Sequence, residues 1–325
     1  MFSMNHQKFI EMDELSIRKT PYFFIIDFLC ENVEIYLENE LDKSGLQIDF
    51  QSFSTLKKSK TLDKKIEWKS YPETLESFKA GFDKVQKNIS LGNSYLVNYT
   101  RKTQIETNLS LEEIFLHSDA KYKVFYKDFF VFFSPETFVK IIDGKIFTYP
   151  MKGTIDASLE NAKEILKNDK KEKAEHYTVV DLLRNDLSMV SDEVEVTHFQ
   201  NIDLIKTQQK NLYAMSSEIV GNIKPEFEGK IGSIMKTLLP AGSILGAPKP
   251  KTLEIILDAE GYGRGYYTGV CGWFDGKNVD SCVMIRFIEK ENDTLYFKSG
   301  GGITHMSKLE DEYQEMKNKI YVPIY

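Results

Sequence analysis

The order of the segments constrains this chain more than any single motif. Two runs rich in aromatic and β-branched residues, "YKVFYKDFFVFFS" (122–134) and "TFVKIIDGKIFTY" (137–149), precede two stretches with helical spacing, "SLENAKEILKN" (158–168) and "DKKEKAEHYTVVDLLRND" (169–186). A third helical stretch, "GKIGSIMKTLLP" (229–240), leads into a loop, "AGSILGAPKP" (241–250). After "KTLEIILDAE" the strands resume as "YYTGVCGWF" (266–274), "VDSCVMIRFIEK" (279–290) and "TLYFKSGGG" (294–302). A helix over "SKLEDEYQEMKNKI" (307–320) closes the chain. Strands and helices set in blocks, without βαβ alternation, predict an α+β fold with antiparallel sheets. Within it Asp143-Gly144 predicts a hairpin turn, and Asp169 an N-cap with Glu172 at the capping-box position. The Lys-rich piece 55–69 reads as an exposed connection between a short N-terminal part packed on the core, 1–70, and a larger unit, 71–325.

A net charge of −7 and only scattered lysine clusters exclude the basic stripe that a nucleic-acid binder needs. The most apolar run, "PYFFIIDFLC", is short and interrupted by Asp27, so neither a signal peptide nor a membrane span is expected. Cys30, Cys271 and Cys282 form no CxxC and leave one over, which fits structural thiols and a cytoplasmic location.

Several residues point to chemistry. Glu172 and Glu175 are three apart on one helical stretch, and Glu312 and Glu315 three apart on another, so each pair shares a helix face. Should the two helices meet, four carboxylates would gather, a set that suits a hard cation such as Mg²⁺. Each has a plainer reading too, Glu172 as a cap and Glu315 as the i,i+4 partner of Lys319. The glycines of "SGGGI" and "AGSILGAPK" offer bare backbone N–H groups for carboxylate oxygens, or simply make turns. Neither has P-loop spacing, and no GxGxxG opens a helix, which disfavours nucleotide binding. Glu136, Tyr267 and Arg286 are single polar residues in apolar strands, placed either at an edge or for a ligand. His176 and His305 have no nucleophile motif nearby and read as structural. Lys152, held between Pro150 and Gly153, reads as an amine aimed inward.

Together, "SPETF" (134–138), "PMKGT" (150–154), "EKAEHYTVVDLLRNDLSMV" (172–190), "GSILGAPK" (242–249), "YTGVCGWF" (267–274), "GGGI" (300–303) and "EDEYQEMKNK" (310–319) resemble the chorismate-utilising enzymes. That family includes component I of anthranilate synthase and of aminodeoxychorismate synthase, and the isochorismate and salicylate synthases. The stretches keep the family's order and cover most of residues 75–320. The resemblance implies two packed antiparallel sheets flanked by helices, Mg²⁺ in a site between them, and chorismate as substrate.

Lys152 picks the branch within the resemblance. Relatives of the anthranilate type usually carry Ala there, and the aminodeoxychorismate type carries Lys, the covalent nucleophile. The isochorismate and salicylate branches activate water with a lysine at the position matched here by Leu96, and Asn98 resembles the ammonia-using branches. The expected activity is conversion of chorismate and ammonia to 4-amino-4-deoxychorismate, for p-aminobenzoate and folate biosynthesis, with ammonia from a separate glutamine amidotransferase subunit. Anthranilate synthase component I, and a non-catalytic scaffold that docks a glutaminase, stand as alternatives. Carried over residue by residue, Lys152 and Glu136 are catalytic. Glu175, Glu315, Glu172 and Glu312 hold the metal or its waters. Arg286, Tyr267, Gly302, Ser243, Gly246 and Lys249 bind substrate. Ile155, Leu245, Phe287, Ser188 and Ala214 depart from the family's usual residues. No "LLES" element matches, so tryptophan feedback is not expected.

Overall fold

The strand-forming runs pair into two antiparallel sheets. The computed structural model describes residues 4–56, 64–205 and 211–324, without the side chains of Lys152, Thr154, Lys170, Lys171, Asp203, Ile205 and Leu212. Among the described residues the strands are β1 (Tyr22–Ile26), β2 (Val33–Leu37), β3 (Leu46–Phe50), β4 (Trp68–Tyr71), β5 (Leu96–Thr107), β6 (Tyr122–Tyr126), β7 (Phe130–Ser134), β8 (Thr137–Ile142), β9 (Lys145–Thr148), β10 (Met151–Asp156), β11 (Ser191–Ile205), β12 (Leu212–Ile223), β13 (Gly246–Ala247), β14 (Val270–Phe274), β15 (Val279–Val283), β16 (Phe287–Glu291) and β17 (Thr294–Ile303). One sheet has nine strands in the order β10-β12-β9-β8-β15-β14-β1-β2, with β11 also on β12. The other has eight, β13-β5-β17-β16-β7-β6-β3, with β4 also on β5.

The first strand shows why the sheets pack. Every residue of β1 is buried. Tyr22, Phe24 and Ile26 share a cluster with Phe9, Met12 and Ile234, from helices His6–Ile17 and Ile231–Leu238. Phe23 and Ile25 point the other way, into a cluster with Ile48, Tyr122 and Phe132 of the second sheet. Alternate side chains thus meet a helix layer on one face and a sheet on the other, each contributing about 1.5–3 kcal/mol. Residues 1–70 supply β1 and β2 to one sheet, and β3 and β4 to the other.

The hairpin forms where expected, β8 to β9 through Asp143 and Gly144, both at positive φ. Asp169 caps helix Lys170–Val190 by accepting from Glu172 N. Two expectations need correction. The run 279–290 is not one strand: β15 lies in the first sheet and β16 in the second, and the chain crosses between them at Arg286, whose φ is 53°. The loop 241–250 contains a helical turn, Gly242–Leu245, the short strand β13, and the first residues of helix Lys249–Glu260. The strand reading of "TLYFKSGGG" holds over the turn alternative, the glycines continuing β17 along β5 with Gly302 opposite Asn98. Residues 57–63 of the expected Lys-rich connection lie outside the described residues, and its end is already strand β4. No helix among the described residues is long and apolar enough to cross a membrane. Cys30, Cys271 and Cys282 are buried thiols.

Candidate active site

The polar residues that interrupt apolar runs sit where the chain changes sheets. Glu136 lies between β7 of the second sheet and β8 of the first, and Arg286 on the return from β15 to β16. Because β7 pairs with β16 and β8 with β15, these two crossings run side by side. Backbone bonds tie them, Val283 N to Glu136 O and Phe133 N to Arg286 O, each 3.2 Å. A positive φ at a non-glycine residue is costly, and at Arg286 it is the conformation in which the strand turns out of one sheet and into the other.

A cavity of about 1110 Å³ opens at this seam. Its lining includes Glu136, Ser243, Tyr267, Arg286 and Gly302 together with Glu172, Glu175, Glu312 and Glu315. Ser243 Oγ donates to Glu136 Oε1 at 2.6 Å, fixing one oxygen of that carboxyl. The Arg286 guanidinium stands 5.4 Å from the Tyr321 ring centroid, and no carboxylate among the described residues is within ion-pair reach of it. A guanidinium left with its fork facing a cavity suits a carboxylate ligand. Burial pushes the Tyr267 hydroxyl pKa up, although Arg264 opposes the shift, so this group enters the site neutral.

The four glutamates line one cavity as two pairs. An added Cβ on Gly301 would stand 3.0 Å from Glu315 Oε1 and 3.5 Å from Glu312 Oε2, so this pair rests on bare backbone of β17. Glu172 Oε2 lies similarly 2.9 Å from the Cβ position of Gly153 on β10. Glu315 also takes the Lys319 ammonium at 2.7 Å, as its spacing allowed. Among the described residues no three carboxylate, histidine or cysteine groups gather into one ligand set. Oxygen donors in pairs, beside a strand edge without side chains, fit Mg²⁺, which keeps several waters and takes one or two carboxylates.

Lys152 lies in β10 opposite Met215, between Met151 and Gly153, which both line the cavity, and its side chain lies outside the described residues. Gly246 and Lys249 do not line the cavity. Lys249 Nζ is held by Asp186 Oδ1 at 2.9 Å and Leu238 O at 2.7 Å, and burial raises the Asp186 pKa against that opposing charge. Gly246 instead brings β13 against β5. Of the departures, Ile155 lines the cavity, while Leu245, Phe287 and Ala214 are core residues with no exposure or almost none. His176 is buried and bonded to Ser217, and His305 is exposed.

Sequence reading missed what supports the site from behind. Arg264 and Glu260, each 1% exposed, form a buried ion pair. Arg264 also donates to the carbonyls of Asn98 and Ile244, both cavity residues, at 2.6 and 3.1 Å. Their i,i+4 spacing was the available signal. Lys121 and Lys298 line the cavity as well, and nothing in their sequence surroundings marks them.

The model of the chorismate binding enzyme family matches residues 11–324. The chain belongs to that family. It is 46% identical over 323 residues to an uncharacterized PabA-like protein of Pasteurella multocida, covering 99% of this chain and 100% of the relative. A PabA-like protein of Haemophilus influenzae is 47% identical over 98% of this chain and 97% of its own length. Among solved structures, anthranilate synthase component I from Streptococcus pneumoniae superposes with a TM-score of 0.67 at 26% identity, over 78% of this chain and 58% of that one. The menaquinone-specific isochorismate synthase of Escherichia coli gives 0.72 at 15% identity, over 96% and 79%, which shows the shared fold.

Proposed function

We propose that this chain is the synthase component of aminodeoxychorismate synthase, exchanging the 4-hydroxyl of chorismate for an amine. The observation that carries the reading is Lys152, a lysine at the branch-marking position, set in β10 between two residues of the cavity that also holds Glu136 and Arg286.

The dianionic substrate enters with its enolpyruvyl carboxylate on the Arg286 fork, beside Tyr267 and the backbone of Gly302. Glu175 and Glu315, with Glu172 and Glu312 orienting waters, would hold Mg²⁺, which when bound neutralises the ring carboxylate. Lys152 Nζ attacks C2 as the double bonds shift and the C4–O bond breaks, and Glu136 gives its proton to the oxygen, which leaves as water. Ammonia then forms a bond to C4, the double bonds shift back, and the C2–N bond breaks, returning its electron pair to Lys152. Glu136 recovers its proton from the new ammonium. Chorismate and ammonia become 4-amino-4-deoxychorismate and water, with the ammonia supplied by a separate glutaminase subunit.

The test is product identity. Purified protein with chorismate, Mg²⁺ and an ammonium salt should give aminodeoxychorismate by chromatography and mass spectrometry, and Lys152→Ala should give little or none. Anthranilate from the unaltered protein would overturn the branch assignment. No product even with a glutaminase would favour a docking scaffold.

A further inference from the structure

Beside Glu136 the large cavity has a small side recess of about 40 Å³. It is lined by polar groups of Glu136, Thr137, Tyr149 and Ser243, over a floor that includes Val179 and Leu183. A water-sized molecule needs roughly 10–15 Å³ of such space and two to four polar partners, so the recess has room for the departing water and an ammonia side by side. Its edge carries a cation: Lys121 Nζ donates to Thr137 Oγ1 at 2.7 Å and faces the rings of Tyr122 and Tyr149 at 5.2 and 5.8 Å. Asp280, the carboxylate that acts on Lys121, is already engaged by Tyr122, Ser52 and Lys140. Burial and the like charge of Lys140 lower the Lys121 pKa, and no carboxylate among the described residues is within ion-pair reach of it.

We propose that this recess is the subsite for the small nitrogen nucleophile, binding neutral ammonia beside Glu136 after it has received the departing water. The inference rests on the amination reading above. With the departing water in place, the space left selects a molecule with one heavy atom. The Glu136 carboxylate in the lining would by itself hold ammonium, which has no electron pair to give; the Lys121 amine at the edge works against that and favours the neutral form. From the recess ammonia bonds to C4, and the proton it sheds passes to the Glu136 carboxylate left by the first step.

Val179 offers a test from the apolar floor, in both directions. Val179→Leu puts one more methylene into the recess and should raise the KM for ammonia at least tenfold. Val179→Ala should enlarge it, so that methylamine becomes a substrate and yields an N-methyl product by mass spectrometry. The preference for ammonia over methylamine in kcat/KM should fall at least tenfold from that of the unaltered protein. Chorismate titration in each variant shows that the main cavity still folds and binds. If both variants bind chorismate while the ammonia KM and the amine preference stay within twofold, the subsite assignment is wrong. An unaltered protein that makes no amine product at all refutes the amination reading instead.

Discussion

Replacing Arg264 by methionine tests whether the buried ion pair behind the cavity is structural in the way its contacts imply. Arg264 donates to both Glu260 oxygens at 2.7 and 2.9 Å, to the Asn98 and Ile244 carbonyls, and to Thr268 Oγ1 at 3.2 Å. Methionine keeps much of the apolar stem but removes all five bonds and the guanidinium over the Phe28 ring. Glu260 would keep only the Thr100 N–H and hydroxyl, both at 2.8 Å, as a charge with 3% residue exposure. Stranding one partner of a buried pair costs about 3–5 kcal/mol, a large part of the roughly 5–15 kcal/mol that holds a folded protein together. With a urea slope near the upper end for its size, the midpoint should fall by roughly 1–2 M. Arg264→Met with Glu260→Leu should recover most of this loss, since an apolar pair carries no stranded charge. The assay is equilibrium urea unfolding followed by far-UV circular dichroism. A single variant within about 1 kcal/mol of the unaltered protein, or a double variant no better than the single, would refute the reasoning.

Three more expectations follow from the geometry. Gly301→Ala places a methyl 3.0 Å from Glu315 Oε1, which swings the carboxylate aside; kcat/KM should drop about tenfold or more while the urea midpoint moves little. Activity should vanish on dialysis against a chelator and return with Mg²⁺, with Glu312→Gln needing more metal for half-maximal rate. For Glu34, burial works against the carboxylate, but hydroxyls of Tyr126, Tyr266 and Tyr36 outweigh it and hold its pKa below 4.5. The unfolded chain binds that proton more tightly, so the contribution is present above pH 4.5 and lost as acid titrates the folded form. Glu34→Gln should accordingly flatten the decline of stability in acid, measured by urea titrations across that range, and an unchanged slope would contradict it.

Much of the architecture could be read from residues alone, where local chemistry left one answer. Asp143-Gly144 admits the left-handed conformations a tight hairpin needs, and Asp169 stands one residue before a helical period. The crossing at Arg286 was hidden for the opposite reason. Val283 and Phe287 are both fully buried, so apolar residues stand on both sides of Arg286 while the strand changes sheets, and no glycine marks the positive φ. The three glycines were read within a strand, with a turn as the alternative that bare backbone usually suggests. Here they let the Glu312 and Glu315 carboxylates rest on a strand. Glu136, Arg286 and the glutamate pairs were legible as polar groups in costly places, and the structure brings them to one cavity. Lys249 entered only through the resemblance, and its charge is taken by Asp186. Lys121 gave no signal, since only the fold decides that a lysine before β6 meets a recess beside Glu136.

The lysine nucleophile is best tested by intact mass spectrometry of the protein mixed with chorismate and Mg²⁺ without any ammonia source, followed by peptide mapping. A mass increase equal to chorismate less one water, mapped to Lys152, absent in Lys152→Ala and discharged by added ammonia, is the expected result. A protein that makes amine product from chorismate yet never gains that mass, or gains it on another residue, would contradict the mechanism.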